Sequence, residues 1–479
     1  MSLIPARITT GTANEVGVLI NGEVIAGSGP EEKLVSRLDE TVLGVLRTAG
    51  PSDVRSAYEA AALAAPAWAA VGPAARAEVL HRAADLFRER ADEIAPAISA
   101  DMGKPGSEAR VEVARGAAVL DYYAELGYRE MGTTFRTDFD EDIFTIIEPL
   151  GVVALITPWN FPFTIPIRKL SAALAAGNAV IFKPSTNASI SGMLIATTLL
   201  DAGLDPGLVH ATVGRSSLIE QELLEAPELD GVSLTGSYET AAAIKSRLPV
   251  EIPFQAELGG KNTLVIWDDA DLGKAIEIIK ASSFRNNGQI CTSAGRILVH
   301  ENIYDSLLAR LSDVVTEMAD ASNDDELGIL VSAPETDRVE AFVALAESEA
   351  EQIIRPARWR DGRVAPTLLV EPKTGALTAE EIFGPVVTIE RVTTMEETIA
   401  KANATEYGLT SGIVTADLAA ARQFWKESHA GTVKVNSPLT GVPFHVPFEG
   451  YGHSGAGWAE GGQSSLDFFT RTKTVFVRS

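Results

Sequence analysis

Between Asp53 and Ile98 the chain runs DVRSAYEAAALAAPAWAAVGPAARAEVLHRAADLFRERADEIAPAI, with charges recurring at helical spacing among alanines. That pattern predicts amphipathic helices, interrupted near Gly72-Pro73. The alanines add helix propensity and no chemistry. Thr133 to Gly151, TTFRTDFDEDIFTIIEPLG, alternates polar with β-branched or aromatic residues about an acidic turn, which predicts a hairpin. From Gly151 the period changes. Short apolar runs recur in GVVALITP, NAVIFKPS, LVHATVG, DGVSLTGS and NTLVIWDDAD, each followed by a turn signal and a segment of helical period. Strands of this kind are buried on both faces, so they predict a parallel, doubly wound α/β sheet. Ligands bind such sheets at the carboxyl ends of the strands. Those ends carry Pro158-Trp159-Asn160, Lys183-Pro184-Ser185-Thr186 and Gly236-Ser237.

After about residue 270 the alternation continues through GRILVH, RVAPTLLVE and GPVVTIERV, predicting a second doubly wound α/β unit. The tail LDFFTRTKTVFVRS alternates again, as a terminal strand whose partner is either the early hairpin or another subunit.

Charge changes this picture in one respect. Forty basic against 65 acidic side chains leave a net charge of -25. Nucleic acid and anionic membranes need a basic footprint, so both are excluded as partners. An anionic ligand would be repelled at long range, and any site for one must gather positive charge locally. No apolar run approaches the ~18 residues that span a bilayer. The start, MSLIPARITTGTANEV, lacks the pattern of a signal peptide, and a cytoplasmic address is expected. A single cysteine excludes an intrachain disulfide and a thiolate zinc cluster. No histidine has metal-ligand partners at a recognisable spacing, so no metal is expected.

That cysteine, Cys291, sits in RNNGQICTSAG, where Gly288 and Gln289 are poor core residues. It is either a core filler or a nucleophile. Glu257 in QAELGGK is either a solvated loop residue or, once desolvated, a general base. Asn160 in TPWNFP either shapes a turn or donates to an oxyanion. Together the three would serve acyl chemistry at a thiol. A cysteine hydrolase or acyltransferase would need an activating histidine, and none of the six lies in a suitable motif. Neither a G-x-x-x-x-G-K-[ST] loop nor a G-x-G-x-x-G after a strand is present.

TPWNFP, FKPS, LTGS, ELGGK, GQIC and EEIFGPV occur in the order, and at roughly the spacings, found in the aldehyde dehydrogenase superfamily, which the chain resembles over nearly its whole length. The resemblance implies that Cys291 attacks an aldehyde, that Asn160 and the Cys291 N–H hold the oxyanion, and that Glu257 activates the water that hydrolyses a thioester. It places cofactor contacts on Trp159, Lys183, Pro184, Ser185, Thr186, Gly236, Ser237, Leu258, Glu381 and Phe383. Thr186 stands where NAD-preferring members often carry glutamate, so NADP is expected as the preferred cofactor, with NAD the alternative. Arg168 and Arg285 match members that oxidise succinate semialdehyde and imply a carboxylate clamp; the alternative is that Arg168 forms a structural ion pair. HVPF is similar to α-ketoglutarate semialdehyde dehydrogenases, while Phe163, Phe448, Phe444 and Trp159 suit a pocket for an aromatic ring, leaving aromatic or aliphatic aldehydes as a second substrate class. A non-catalytic relative would be expected to lack Cys291 or Glu257. The chain departs from the family at Glu449 and Ala241, both where glycine is usual. The implied architecture is an NAD(P)-binding domain over 1–127 and 148–256, a catalytic domain over 257–435, and an oligomerisation β element over 128–147 and 460–479, in a homodimer or homotetramer.

Overall fold

A computed structural model describes residues 3–128, 132–320, 327–356, 363–373 and 375–478. The expected domain spans therefore include short stretches, among them 129–131 beside the hairpin, that lie outside the described residues.

The runs from Gly151 onward are strands because their apolar side chains have no wet face. Val152–Ile156 and Ala179–Lys183 are buried at every position. They belong to an eight-stranded sheet in the order Gly455–Ala456, Phe254–Glu257, Leu229–Thr235, Val152–Ile156, Ala179–Lys183, Val209–Ala211, Val18–Ile20, Glu23–Ile25. The middle five strands are parallel. The chain leaves Val152–Ile156 in one direction, to Ala179–Lys183 and Val209–Ala211, then returns to its other side at Leu229–Thr235. That reversal opens a crevice beyond the carboxyl end of Val152–Ile156, where Trp159 and Asn160 follow.

A second, seven-stranded sheet runs Gln352–Ile354, Thr367–Val370, Val386–Val392, Ala294–His300, Asn262–Ile266, Thr410–Val414, Thr432–Val435. It is parallel except for Gln352–Ile354. Only four residues separate the end of Phe254–Glu257 in the first sheet from the start of Asn262–Ile266 in the second. The α/β architecture read from hydrophobic rhythm is the one observed.

The helical reading before Gly151 also meets its break. Pro51–Ala69 ends before Gly72, and Pro73–Glu89 starts on the proline, whose missing N–H is not needed there. The tail differs in part. Leu466 to Phe468, read as strand, closes the helix Gly462–Phe468. The strand is Thr470–Val477, and its partner is the hairpin strand Asp142–Pro149, paired antiparallel from Thr470↔Pro149 to Val477↔Asp142. A terminal strand seeks whichever edge offers free N–H and C=O groups, and alternation alone does not say which. Among the described residues no helix is long and apolar enough to cross a membrane.

Candidate active site

Asn160 lies one short turn beyond the strand Val152–Ile156 and is buried. Its Nδ2 donates to the Gln289 carbonyl at 3.0 Å. Its own carbonyl accepts from Lys104 Nζ at 2.8 Å and from Asn286 Nδ2 at 3.3 Å. Asn160 is thereby tied to the loop that carries the cysteine.

That loop is polar for a structural reason. Asn286, Asn287 and Gly288 are successively left-handed, with φ of 47, 57 and 73°. Asparagine tolerates this conformation better than most residues, and glycine pays least. A Cβ at Gly288 would also meet the Gly384 carbonyl oxygen at 2.2 Å. The Gln289 amide then spans the turn, donating to the carbonyls of Asn286 and Ile329 at 3.2 and 3.3 Å and accepting from Val331 N–H at 3.0 Å. Asn262 completes the frame: its Nδ2 donates to the Cys291 and Ser293 carbonyls at 2.7 and 2.8 Å, while its Oδ1 accepts from Thr410 N–H at 3.0 Å. The backbone of Cys291 is held by side-chain amides.

The Cys291 side chain is partly accessible and packs beside Leu409, Val442 and Phe448. Its enclosure, then the negative charges of Glu381 and Glu257, push the thiol up to about 12, with Arg168 opposing. The resting form at neutral pH is thiol. Among the described residues no hydrogen bond joins it to a histidine. His453 instead stacks on Tyr238 at 3.7 Å between ring centres, and His445 is exposed.

Glu257 ends the strand Phe254–Glu257 and is buried, with Oε2 lacking any hydrogen-bond partner. Burial, reinforced by the charge of Glu460, holds its carboxyl well above the ordinary range, although Lys169 and Arg168 oppose this. Glu460 goes the other way. Burial alone would raise it, but it pairs with Lys169 Nζ at 2.7 Å and Arg168 Nη1 at 3.4 Å, and those charges hold it below the usual range. Two neighbouring buried carboxyls are thus pushed in opposite directions, Glu257 up and Glu460 down.

Lys104 and Glu112 form a further buried ion pair. Glu112 also accepts from the N–H groups of Phe163 and Thr164 at 2.9 and 3.0 Å, where the helix Thr164–Ala176 begins. Replacing Lys104 by methionine strands that carboxylate and releases the Asn160 carbonyl. The expected cost is about 3–5 kcal/mol of stability, read as a lowered denaturant midpoint; an unchanged midpoint refutes it.

The crevice side holds the other sequence-predicted residues. Lys183, at the end of Ala179–Lys183, is buried, and among the described residues its ammonium bonds only to the Pro184 carbonyl, at 3.4 Å. Burial lowers its ammonium to about 8, opposed by the charge of Glu32, which is itself paired with Arg215 at 2.7 Å. Ser185 Oγ accepts from Asn187 N–H at 3.2 Å, and the Thr186 carbonyl accepts from Ser189 Oγ at 2.6 Å. Gly236 and Ser237 precede the helix Tyr238–Arg247, which Ser237 Oγ caps by accepting from Thr240 N–H at 3.3 Å. Leu258 is buried, its N–H bonded to the Ser454 carbonyl at 3.0 Å. Glu381 accepts from Gly260 N–H at 3.1 Å, and desolvation raises it to about 7. Phe383 meets the Trp159 ring edge-on at 5.5 Å. Among the described residues neither Lys183 nor Glu381 has an ion-pair partner. An ammonium and a carboxyl without ion-pair partners among the described residues, and a helix N-terminus, are the kinds of group that the ribose hydroxyls and phosphates of a dinucleotide call for.

The residues expected to touch substrate are less uniform. Phe448 packs beside Cys291 as expected. Phe163 does not line a pocket: it is fully buried against Phe87, at 4.9 Å between ring centres, and over Gly116. The same apolar character that suits a pocket wall suits the core, and the helix packing claimed it. Arg168 is engaged by Glu460, the ion-pair alternative raised for it. Arg285 is exposed, 3.9 Å from Glu108. Glu449 is exposed, and Ala241 is accommodated in the core. Lys104, Glu112, Lys169, Asn262 and Glu460 were not anticipated. Only Lys169 and Asn262 had a signal, as polar residues inside apolar stretches adjoining TPWNFP and ELGGK.

Residues 25–475 match the aldehyde dehydrogenase family, and the chain belongs to that family. It is an oxidoreductase acting on aldehydes, in a family that uses NAD or NADP. It is 34% identical over 476 residues to the α-ketoglutaric semialdehyde dehydrogenase of Bacillus subtilis, covering 96% of this chain and 97% of that one. An NADP dependent enzyme of E. coli shares its fold with a TM-score of 0.93 at 29% identity, over 99% of each chain. So does the betaine aldehyde dehydrogenase of Staphylococcus aureus in complex with NAD+, with a TM-score of 0.92 at 26% identity, over 96% of this chain and 95% of that one.

Proposed function

We propose that the chain oxidises a short semialdehyde bearing a carboxylate, such as succinate semialdehyde, to the diacid through a thioester on Cys291. The observation that carries this reading is Arg285, six residues before the cysteine and exposed, in a chain of net charge -25 that must gather cations locally to hold an anion. The same positive charge disfavours a trimethylammonium aldehyde.

In this reading the Cys291 thiol passes its proton to water as Sγ bonds to the aldehyde carbon, and the carbonyl π electrons move onto the oxygen. Asn160 has one amide N–H engaged by Gln289, and its other N–H joins the Cys291 N–H at the oxyanion. Trp159, Lys183, Pro184, Ser185, Thr186, Gly236, Ser237, Leu258, Glu381 and Phe383 would hold the dinucleotide, which supplies the acceptor for the hydride leaving that carbon. Glu257 then takes a proton from water as the water oxygen bonds to the thioester carbon. The C–S bond breaks with its electron pair going to Sγ, the sulfur takes up the proton held by Glu257, and the carboxylic acid departs. The first sheet is read as the dinucleotide-binding domain and the second as the catalytic one. The strands Asp142–Pro149 and Thr470–Val477 are read as the element through which two or four copies associate.

For the cofactor we read NADP as preferred. Thr186 offers a hydroxyl where a carboxylate would repel a 2'-phosphate, and Lys183 stands three residues away. Thr186→Glu is expected to lower kcat/KM for NADP by about tenfold or more while sparing NAD, through like-charge repulsion; initial rates with both cofactors decide it, and an unaltered ratio rejects it.

The function itself is tested with a panel of aldehydes: succinate semialdehyde, its one-carbon homologue, their methyl esters and benzaldehyde. Carboxylated substrates are expected to show the highest kcat/KM. Equal or better rates with the esters overturn the substrate reading and leave the family assignment standing.

A further inference from the structure

The far end of a carboxylated aldehyde needs cations that are free to meet it, and Arg168 is already engaged. It is buried, and its Nη1 faces a Glu460 carboxylate that also holds Lys169. The helix Gly106–Leu126 supplies another candidate. Along one face, Glu108 accepts from Asn286 N–H at 3.2 Å and stands 3.9 Å from Arg285. One turn on, Glu112 caps the start of the helix that carries Arg168. Another turn on, Gly116 approaches Phe163 so closely that a Cβ would lie 2.4 Å from its ring. Residues at this spacing share a helix face. Arg115 adjoins that face, between the loop bearing Arg285 and the helix bearing Arg168.

Its guanidinium donates through Nη2 to the Val442 carbonyl. Val442 packs with Phe448 beside Cys291, so Arg115 borders the wall of the thiol's own pocket. Arg115 is half-buried, and among the described residues it has no ion-pair partner. Burial pulls its guanidinium below the ordinary value, and the charges of Arg168 and Arg285 pull it further, with Glu112 opposing. Arg115 thus feels two other guanidiniums; Arg168 has Glu460 close by and Arg285 has Glu108 at 3.9 Å, while among the described residues Arg115 has no ion-pair partner. Like charges gathered in a partly desolvated place are unfavourable until an anion joins them.

We propose that Arg115, acting with Arg285, is the fork that grips the distal carboxylate of the aldehyde substrate. This rests on the carboxylate reading given above. Arg115 determines specificity and takes no part in bond making.

The test measures kcat and KM for succinate semialdehyde and its methyl ester with the full-length enzyme, Arg115→Leu and Arg115→Lys. Arg115→Leu is expected to raise KM for the acid by about tenfold or more, the scale of a lost charge-assisted fork, while kcat changes less than about twofold and the ester is unaffected. Arg115→Lys keeps the charge without the fork and is expected to restore part of the loss. An equal loss with acid and ester, or no loss with the acid, overturns the assignment. Should Arg115→Leu not fold, Arg115→Gln, which can still donate to the Val442 carbonyl, carries the same comparison. If the unmodified enzyme does not distinguish acid from ester, the carboxylate reading itself has failed. If it does, and the variants keep that distinction, only the role of Arg115 has.

Discussion

Cys291→Ala is expected to lose roughly ten-thousand-fold or more in kcat/KM for its best aldehyde, the scale seen when a covalent nucleophile is removed. The loss should be chemical and not structural. The sulfur is partly accessible and its backbone is fixed by Asn262 and, through Gln289, by Asn160, none of which bonds to the side chain. Removing it leaves those bonds in place, so the thermal midpoint is expected to move little. Cys291→Ser fails almost as completely, because a hydroxyl beside Glu257 and Glu381 is harder still to ionise than a thiol already pushed up to about 12. The measurement is reduced-cofactor absorbance on adding aldehyde. A second readout uses the composition: with one cysteine in 479 residues, alkylation by iodoacetamide should inactivate in proportion to a single label per chain. Turnover that survives either substitution or full labelling rejects the thioester.

Glu257→Gln is expected to separate the two halves of the reaction. Attack by Cys291 does not require Glu257, so one equivalent of reduced cofactor per site should form in a burst. Steady-state turnover should fall by roughly 10²–10⁴-fold, the usual contribution of a general base. The pH dependence follows from the raised carboxyl. Only the ionised form accepts a proton from water, so turnover of the unmodified enzyme climbs as pH rises through the raised value, and the variant loses that climb.

Stability runs in the opposite direction. The folded state holds the Glu257 proton more tightly than the unfolded chain does. Its favourable contribution is complete below the ordinary glutamate range and is lost as pH rises through the folded value. The glutamine variant carries no such penalty. Its thermal midpoint should exceed that of the unmodified enzyme at alkaline pH, with the gap closing as pH falls. A gap that widens on acidification contradicts a raised Glu257, and a burst lost together with turnover contradicts its role in deacylation.

These two residues stand out in the sequence for different reasons. A lone cysteine among asparagines and glycines contradicts what packing alone would select, whereas Glu257 stands out as a glutamate before two glycines in a motif shared with the family, and only the structure shows it closing a buried strand. The groups that set their chemistry gave no such sign. Glu460 is 203 positions from Glu257, yet its charge adds to the burial that raises the Glu257 carboxyl. Glu112 reads as one more charge on an exposed helix face until the start of Thr164–Ala176 is laid against it. Phe163 shows the converse error. An aromatic residue next to a site motif looks like pocket lining, and only the closeness of Gly116 shows that it is core.

From its amino-acid order alone the chain declares two α/β units, the strand ends at which a ligand binds, and a nucleophile, an amide and a carboxyl suited to acyl chemistry. These follow from periodicity and from local exceptions to it, and both are written over a few consecutive residues. Which arginines are free to meet an anion, which glutamate is raised and which lowered, and which edge the last strand joins are decided by contacts between segments far apart in the chain. A charge acts through space on whatever the fold brings near, and that distance is set only when the sheets have packed.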